Sequence, residues 1–370
     1  MTKQQIIQNK IVRHDALTFD DVLLLPNYTD IKRQDVDLTC TLHPKIVLTL
    51  PVISSPMDTV TEKAMAIAIA TAGGLGIIHR NLSVELQVAM VSDVKNAPGS
   101  LLVGAAVGVG ADFEKRVSAL VKAHIDMIVV DSSHGHSKFV ADAVKFIRKT
   151  YPDVVVMAGN IATYDGARAL IAAGAHVLRV GMGPGSICTT RIITGMGVPQ
   201  LSAVAAVVRA TEGTDVTVVA DGGIKQIGDM AKALAFGAQA VMLGSLLARF
   251  DESPGEKTEI NGKFYKSYRG MGSVAAMKKG GAERYGQSRD TSEKKLIAEG
   301  VEGVMEYKGA VMNFLDQIAG SLWSSFYYLG AKTIDQFFET SRCIKISNAG
   351  LRESHPHDIT MTNVGGNYQA

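Results

Sequence analysis

The chain has 370 residues, 46% of them hydrophobic and 20% charged, which allows a large buried core and excludes disorder as its main state. Its 38 basic and 36 acidic side chains leave a formal net charge of only +2, so neither nucleic acid nor an anionic membrane is expected as a partner. The length fits two ordinary domains or one large (β/α)8 barrel, which takes about 250 residues plus insertions.

Residues 1–15 are polar and lack the apolar segment of a secretory signal, and no run of 18 apolar residues marks a membrane span. Short β-branched runs then follow in chain order: LPVISS (50–55), GLGIIH (74–79), LLVGAAVG (101–108), DMIVVD (126–131), DVVVMAG (153–159), HVLRVG (176–181), VTVVAD (216–221) and AVMLGS (240–245). They are continuously apolar, not alternating, as strands covered on both faces are. Helix-like stretches separate them, among them residues 61–73, 113–125, 138–150, 164–175 and 227–238, several ending in glycine. Eight βα units predict an α/β fold closed into a TIM barrel in preference to a wide, doubly wound open sheet. The prediction is a single catalytic barrel domain over 1–370. Two irregularities interrupt it: a turn-rich junction, VKNAPGS (94–100), and some sixty residues after the eighth strand, about 250–309. That long insertion is rich in glycine and charge and reads as a mobile lid. The next clear helix is AVMNFLDQIAGSLWSSFYYLG, whose aromatic residues read as core or subunit packing.

Barrel active sites lie at the C-terminal ends of the strands. Ser54, Ser55, His79, Asn81, Asp131, Ser132, Ser133 and Asn160 fall there, with the loop GMGPGSICTTR (181–191), DGG (221–223) and Gly244–Ser245. Gly222, Gly223, Gly244 and Ser245 follow the last two strands and offer backbone N–H groups for phosphate oxygens; Ser186 can add a hydroxyl. The 181–191 loop lacks the third glycine and the following helix of a dinucleotide fingerprint. It is instead a constrained turn presenting Cys188, with Arg191 nearby, where an activated thiolate nucleophile can sit. Cys40 and Cys343 read as small buried hydrophobes. Three scattered cysteines make no disulfide framework, and a reducing, cytoplasmic setting is expected. SHGHS (133–137) and HPHD (355–358) lack a helical pair of histidines, so no transition metal is expected. Lys278 and Lys279 read as a solvated face, and composition alone makes Arg284 and Tyr285 surface residues.

Taken together, LTFDDVLLLP (17–26), SSPMDTVTE (54–62), GIIHRN (76–81), VVDSSHGHS (129–137), GMGPGSICTTR (181–191), VVADGGI (218–224), YRGMGSVAAM (268–277), ERYGQ (283–287) and GLRESHPHD (350–358) resemble the inosine-5′-monophosphate (IMP) dehydrogenase family. The likeness runs over nearly the whole chain. It implies NAD-dependent oxidation of IMP to xanthosine monophosphate (XMP) in guanine nucleotide synthesis by a homotetramer. By resemblance, Cys188 attacks C2 of the hypoxanthine and carries a covalent thioimidate. The substrate is held by Ser55, Asn160, Ser186, Asp221, Gly222, Gly223, Gly244 and Ser245, by Tyr268, Arg269, Gly270, Met271 and Gly272, and by Glu299. Asp131, Ser132, Ser133, Gly181, Met182 and Gly183 line the NAD site. The insertion is the family's flap, with Arg284 as base toward the hydrolytic water and Tyr285 and Thr190 assisting. An arginine base runs against the ordinary protonation of guanidinium and rests on the resemblance alone. A potassium ion is implied at main-chain carbonyls of Gly183, Gly185 and Cys188, with Glu353, Ser354 and His355 from a neighbouring subunit. Family members usually insert a regulatory pair of cystathionine-β-synthase-type repeats where this chain has residues 94–100, so control through that module is not expected.

The nearest alternative is GMP reductase, which resembles the chain in barrel and cysteine loop; MGVPQLSA (196–203) leans toward it, whereas ERYGQ and the 350–358 tail favour the dehydrogenase. An FMN-dependent barrel oxidoreductase would share the phosphate loops but not need Cys188. A non-enzymatic, nucleotide-binding regulator on a dead barrel would need neither Cys188 nor the flap.

Overall fold

The computed structural model describes residues 10–12, 15–288, 291–363 and 365–368. From the N-terminus, β1 (Val22–Leu24) and the hairpin β2 (Cys40–His43) and β3 (Ile46–Leu48) lead into eight strands. These are β4 (Val52–Ser54), β5 (Leu75–Ile78), β6 (Val103–Val107), β7 (Met127–Asp131), β8 (Val155–Ile161), β9 (Val177–Val180), β10 (Thr217–Asp221) and β11 (Ala240–Leu243). Each pairs in parallel with its neighbour in sequence. β11 returns to β4 through Val241–Val52, Met242–Ile53 and Leu243–Ser54, which closes the barrel and excludes the open sheet. All eight apolar runs of the sequence become these strands. Every residue of β6, β7 and β8 is buried, because barrel interior and outer helices cover both faces.

The outer ring comprises α1 (Lys63–Thr71), α2 (Val84–Lys95), α3 (Phe113–Lys122), α4 (Lys138–Thr150), α5 (Tyr164–Ala173), the short α6 (Thr190–Thr194), α7 (Gln200–Thr211) and α8 (Ile227–Ala235). Ser83, Ser137 and Thr163 start α2, α4 and α5 by accepting a backbone N–H from Leu86, Val140 and Gly166. Gly174 ends α5 at φ 97°, a left-handed turn that glycine adopts without strain. The ring is completed late in the chain, after α9 (Val274–Lys278), by α10 (Met312–Leu329), which packs against α8 and α1. Phe326 of α10 stacks on Phe337 of α11 (Ile334–Thr340) with ring centroids 4.2 Å apart, both fully buried. Phe326 and Leu329 thus serve the core, while Trp323 and Tyr328 face outward.

The lower, N-terminal end of the barrel is plugged by the β2–β3 hairpin. Leu42, Ile46 and Leu48 are buried there, and Thr217 Oγ1 donates to the Leu42 carbonyl at 2.9 Å. His43 packs on His176 with centroids 4.6 Å apart, and His176 Nδ1 accepts the Val156 N–H at 3.0 Å. Burial, then the charges of Arg148, His43 and Lys45, pushes His176 down to about 4. The 94–100 junction also lies at this foot. Lys95, the last residue of α2, donates to the Leu101 carbonyl at 3.2 Å and pairs with Asp126 at 2.9 Å; Asp126 also accepts the Val103 N–H at the start of β6.

The insertion after β11 is not one irregular lid. β12 (Lys257–Ile260), β13 (Lys263–Arg269) and β14 (Glu302–Glu306) form an antiparallel three-stranded sheet, and the stretch between β13 and β14, which the resemblance makes the flap, holds α9 and Arg284. The clue in the sequence was KFYKSYR, with three aromatic residues in seven, a type of residue that strands favour. Beyond α11, β15 (Cys343–Lys345) pairs with β1, and α12 (Asn348–Glu353) follows. Cys40 is buried as expected. Cys343 is exposed, contrary to expectation, because the two-stranded β1–β15 ribbon leaves it uncovered. Among the described residues no helix is long and apolar enough to cross a membrane.

Candidate active site

The upper ends of β4 and β8–β11 surround one cleft. It is lined by Ser55, Asn160, Gly181, Met182, Gly183, Gly185, Ser186, Cys188, Thr190, Asp221, Gly222, Gly223, Gly244 and Ser245. Ser133, at the end of β7, joins them, and the insertion adds Tyr268, Gly270, Met271, Arg284, Tyr285 and Glu299. The ends of six strands, β4 and β7–β11, thus meet the insertion at this cleft. Gly222 and Gly223 lie at φ 88° and 79° in the left-handed region that glycine adopts freely, and a Cβ on either would stand 3.0 or 3.2 Å from Pro184. Tyr268 is buried beside Met57 and Gly244, and burial raises its phenol well above the usual range.

Cys188 is half-buried at the turn leading into α6, its N–H donating to Gly185 O at 3.1 Å. Its thiol donates to Thr190 Oγ1 at 3.2 Å, and that hydroxyl donates to Glu299 Oε2 at 2.8 Å. The loop and the far end of the insertion are also joined by backbone. Thr189 N donates to Glu299 O at 3.0 Å, Val301 N to Ile187 O at 2.9 Å, and Cys188 bridges Gly300. A thiol, a hydroxyl and a carboxylate in series give the sulfur proton a path away from the nucleophile. Arg191 does not approach as a free activating charge. It donates to the carbonyls of Met182 and Val198, at 3.1 and 2.6 Å, and so holds the loop's shape.

Beneath the cleft lies a network the sequence reading missed. Arg179 of β9 donates to Asp131 Oδ1 at 2.6 Å and to Asp221 Oδ2 at 2.9 Å, and Asn160 Nδ2 donates to the same Asp221 oxygen at 2.8 Å. The signal was present: an arginine inside the otherwise apolar run HVLRVG is a residue almost never buried without partners. Asp131 also pairs with Arg284 of the flap and lies 3.8 Å from Arg80. Arg284 Nη2 is 3.4 Å from Asn160 Oδ1, and Ser133 donates from both its hydroxyl (2.9 Å) and its N–H (3.4 Å) to the Arg284 carbonyl. Arg284 and Tyr285 are therefore packed into the cleft and are not the surface residues that composition alone suggests. Asp131 and Asp221 face Arg179 and Arg284 here, and Arg80, beside them, is also acted on by the carboxylates of Glu283 and Asp112. Burial drives Arg284 below its ordinary value, Arg80 adding repulsion and Tyr285 opposing. Burial also raises the Tyr285 phenol, with Cys188 and Glu299 pushing the same way against Arg284.

Some expected site residues stand apart. Arg269 does not line the cleft; it pairs with Asp58. Gly272 lies under Tyr285, where a Cβ would stand 2.7 Å from the ring. Asp131 and Ser132 sit behind the flap and not on the open wall. Glu353, Ser354 and His355 lie at the end of α12 and do not border this chain's cleft. Lys278 is half-buried and donates to Thr291 O at 2.7 Å, so only Lys279 is the solvated lysine expected.

A closed (β/α)8 barrel with glycine-rich turns, a cysteine loop and a charged network at the strand ends is the architecture of a barrel enzyme. A family model described as "IMP dehydrogenase / GMP reductase domain" matches residues 16–357, and the chain belongs to that family of oxidoreductases. It is 43% identical to the inosine-5′-monophosphate dehydrogenase of Borreliella burgdorferi over 399 residues, covering 95% of this chain and 98% of that protein. The Cryptosporidium parvum enzyme of the same name is 41% identical over 394 residues, covering 95% and 98%. With the Escherichia coli K12 enzyme the identity is 38%, and the alignment, covering 97% and 99%, stretches over 483 residues. This chain thus has the length of the shorter relatives and lacks a stretch of the longer one, as a form without the regulatory repeats does.

Proposed function

We propose that this protein oxidises IMP to XMP with NAD, through a covalent bond to Cys188 that a flap-borne base then hydrolyses. The observation that carries the reading is Arg284 seated on Asp131 beside the Cys188–Thr190–Glu299 series. The backbone turns at Gly222–Gly223 and Gly244–Ser245, with Ser186, hold the phosphate, and Asp221, oriented by Arg179 and Asn160, accepts from the ribose hydroxyls. Cys188 gives up its proton toward Thr190 and Glu299, and its sulfur adds to C2 of the purine. The hydrogen at C2 leaves with its electron pair, and the C2–N3 double bond re-forms as a thioimidate.

NAD, when bound, supplies the acceptor for that hydride. Asp131, fixed by Arg179, with Ser132 and Ser133, suits a ribose diol, the usual partner of a carboxylate in dinucleotide sites. Arg284 occupies that carboxylate here, so flap and dinucleotide take turns in one space. With the flap seated, Arg284, whose pKa burial lowers while its pairing with Asp131 favours the charged form, takes a proton from water once it leaves that carboxylate, and Tyr285 helps orient it. The hydroxide adds to C2, the C–S bond breaks, and XMP departs as Cys188 recovers a proton. For potassium, Gly183, Gly185 and Cys188 offer carbonyls from one short loop of this chain. Glu353–His355 would have to come from a second copy, in keeping with a homotetramer.

Absorbance at 340 nm tests the reading. With IMP, NAD and potassium chloride a steady rise requiring both nucleotides is expected. A fall with GMP and NADPH instead would make the protein a reductase, and silence in both would leave a nucleotide-binding regulator.

A further inference from the structure

His79 and Asn81 of the HRN loop after β5 take no part in the chemistry above, yet they are built as a support. His79 is 1% exposed; its Nδ1 accepts the Asn81 N–H at 3.1 Å while its Nε2 faces Glu62 at 3.3 Å. Fixed in this way, Asn81 Nδ2 donates to Asp58 Oδ2 at 2.9 Å and to the carbonyl of Ala276 in α9 at 3.2 Å. Asp58 in turn receives Arg269, the last residue of β13, at 3.1 and 2.6 Å. Burial alone would raise Asp58, but the hydrogen bonds of Arg269 and Asn81 and the Arg269 charge hold it below the usual carboxylate range. The pair is therefore ionised and firm at neutral pH.

The flap is attached at this point. It leaves α9 through Gly280, whose φ of 131° only glycine adopts freely and where a Cβ would stand 2.8 Å from Asn81 Oδ1. That oxygen is buried and has no hydrogen-bond partner among the described residues. Four residues further on, Arg284 reaches Asp131. We propose that Asn81, braced by His79 and Asp58, is a positioning residue that fixes the root of the flap so that Arg284 arrives over the covalent intermediate. The inference rests on the flap-hydrolysis reading above. It assigns Asn81 to the hydrolytic half of the cycle and not to hydride transfer, since its contacts are to the flap root and not to the cleft.

Rapid mixing of protein, IMP and NAD separates the two halves. Wild type should give a burst of reduced cofactor followed by a slower steady rate. In Asn81→Ala the burst rate should stay within about twofold, while the steady rate, scaled to burst amplitude, falls about ten- to a hundredfold, as loss of a buried hydrogen bond on the path to the transition state implies. Acid quench with radiolabelled IMP should then find more nucleotide bound to Cys188, and inhibition by NAD should set in at lower concentration. Asn81→Asp keeps the size but loses both donated bonds and faces Asp58, so it should be at least as impaired. Burst amplitude counts folded sites and separates misfolding from mispositioning. A steady rate within twofold of wild type in either variant, or burst and steady rate falling in parallel, would overturn the role of Asn81. Absence of burst and adduct in the wild type would instead overturn the flap reading itself.

Discussion

The barrel wall and the flap differ in how they are held. β6, β7 and β8 contain no residue that is not buried, and each pairs with both neighbours, with one register shift between β8 and β9 at Gly159–Ile161. The segment that carries Arg284 has only a small apolar cluster of its own, Met277, Ala282 and Leu296, and it meets the wall through polar contacts, Arg284 on Asp131, Ser133 on the Arg284 carbonyl and Asn81 on the Ala276 carbonyl. Burial of apolar surface gives the wall its stability, whereas a segment held by local polar contacts can leave and return without unfolding anything else. The comparison places stability in one region, and the proposed order of chemical steps relies on the other.

The sharpest break should come at their meeting point. Cys188→Ala should abolish turnover, a fall of about 10³-fold or more, while calorimetry still detects IMP binding; retained turnover would sink the covalent mechanism. Next, Arg284→Ala should lower the steady rate by about 10²- to 10³-fold, with an intact hydride burst and an unchanged melting temperature. If the burst falls too, the flap is not separable from the wall. Arg179→Met inverts the pattern. It leaves the buried Asp131 and the partly buried Asp221 without their shared cation and should cost about 3 kcal/mol in denaturant unfolding. The smallest effect lies at the foot. His176 is held neutral, its folded value lowered to about 4 from an unfolded value near 6.5. Its contribution is thus complete above pH 6.5 and lost as pH falls toward 4. Since the ring is only half-buried, the loss should be at most about 2 kcal/mol, seen as a falling melting temperature that His176→Leu flattens.

The same division governs what the sequence makes legible. The wall is written locally: each apolar run is its own strand, and closure follows from their number. The glycine turns and Cys188 are legible too, because a glycine pair after a strand and a cysteine among glycines and hydroxyls are local signals. The insertion's sheet was obscured by its charge and glycine content, although KFYKSYR has the aromatic density that strands favour. Arg179 could have been found by asking what neutralises an arginine in an apolar strand. The Asp58–Arg269 pair could not, since 211 residues separate its partners and either alone reads as a surface charge. Likeness to a family placed Arg284 and Tyr285 in the site; physical reasoning from sequence would have left them outside.

The junction at the foot has a consequence of its own. Lys95 clasps Leu101 and Asp126, so the chain leaves α2 and re-enters β6 at nearly the same spot, on the face of the barrel opposite the cleft. Such a place works as a splice point. A domain whose own ends lie close together could be threaded in between Lys95 and Leu101 with neither strand order nor catalytic loops disturbed. This chain can therefore serve as a minimal chassis, onto which sensing modules are grafted and their influence on the chemistry measured one at a time.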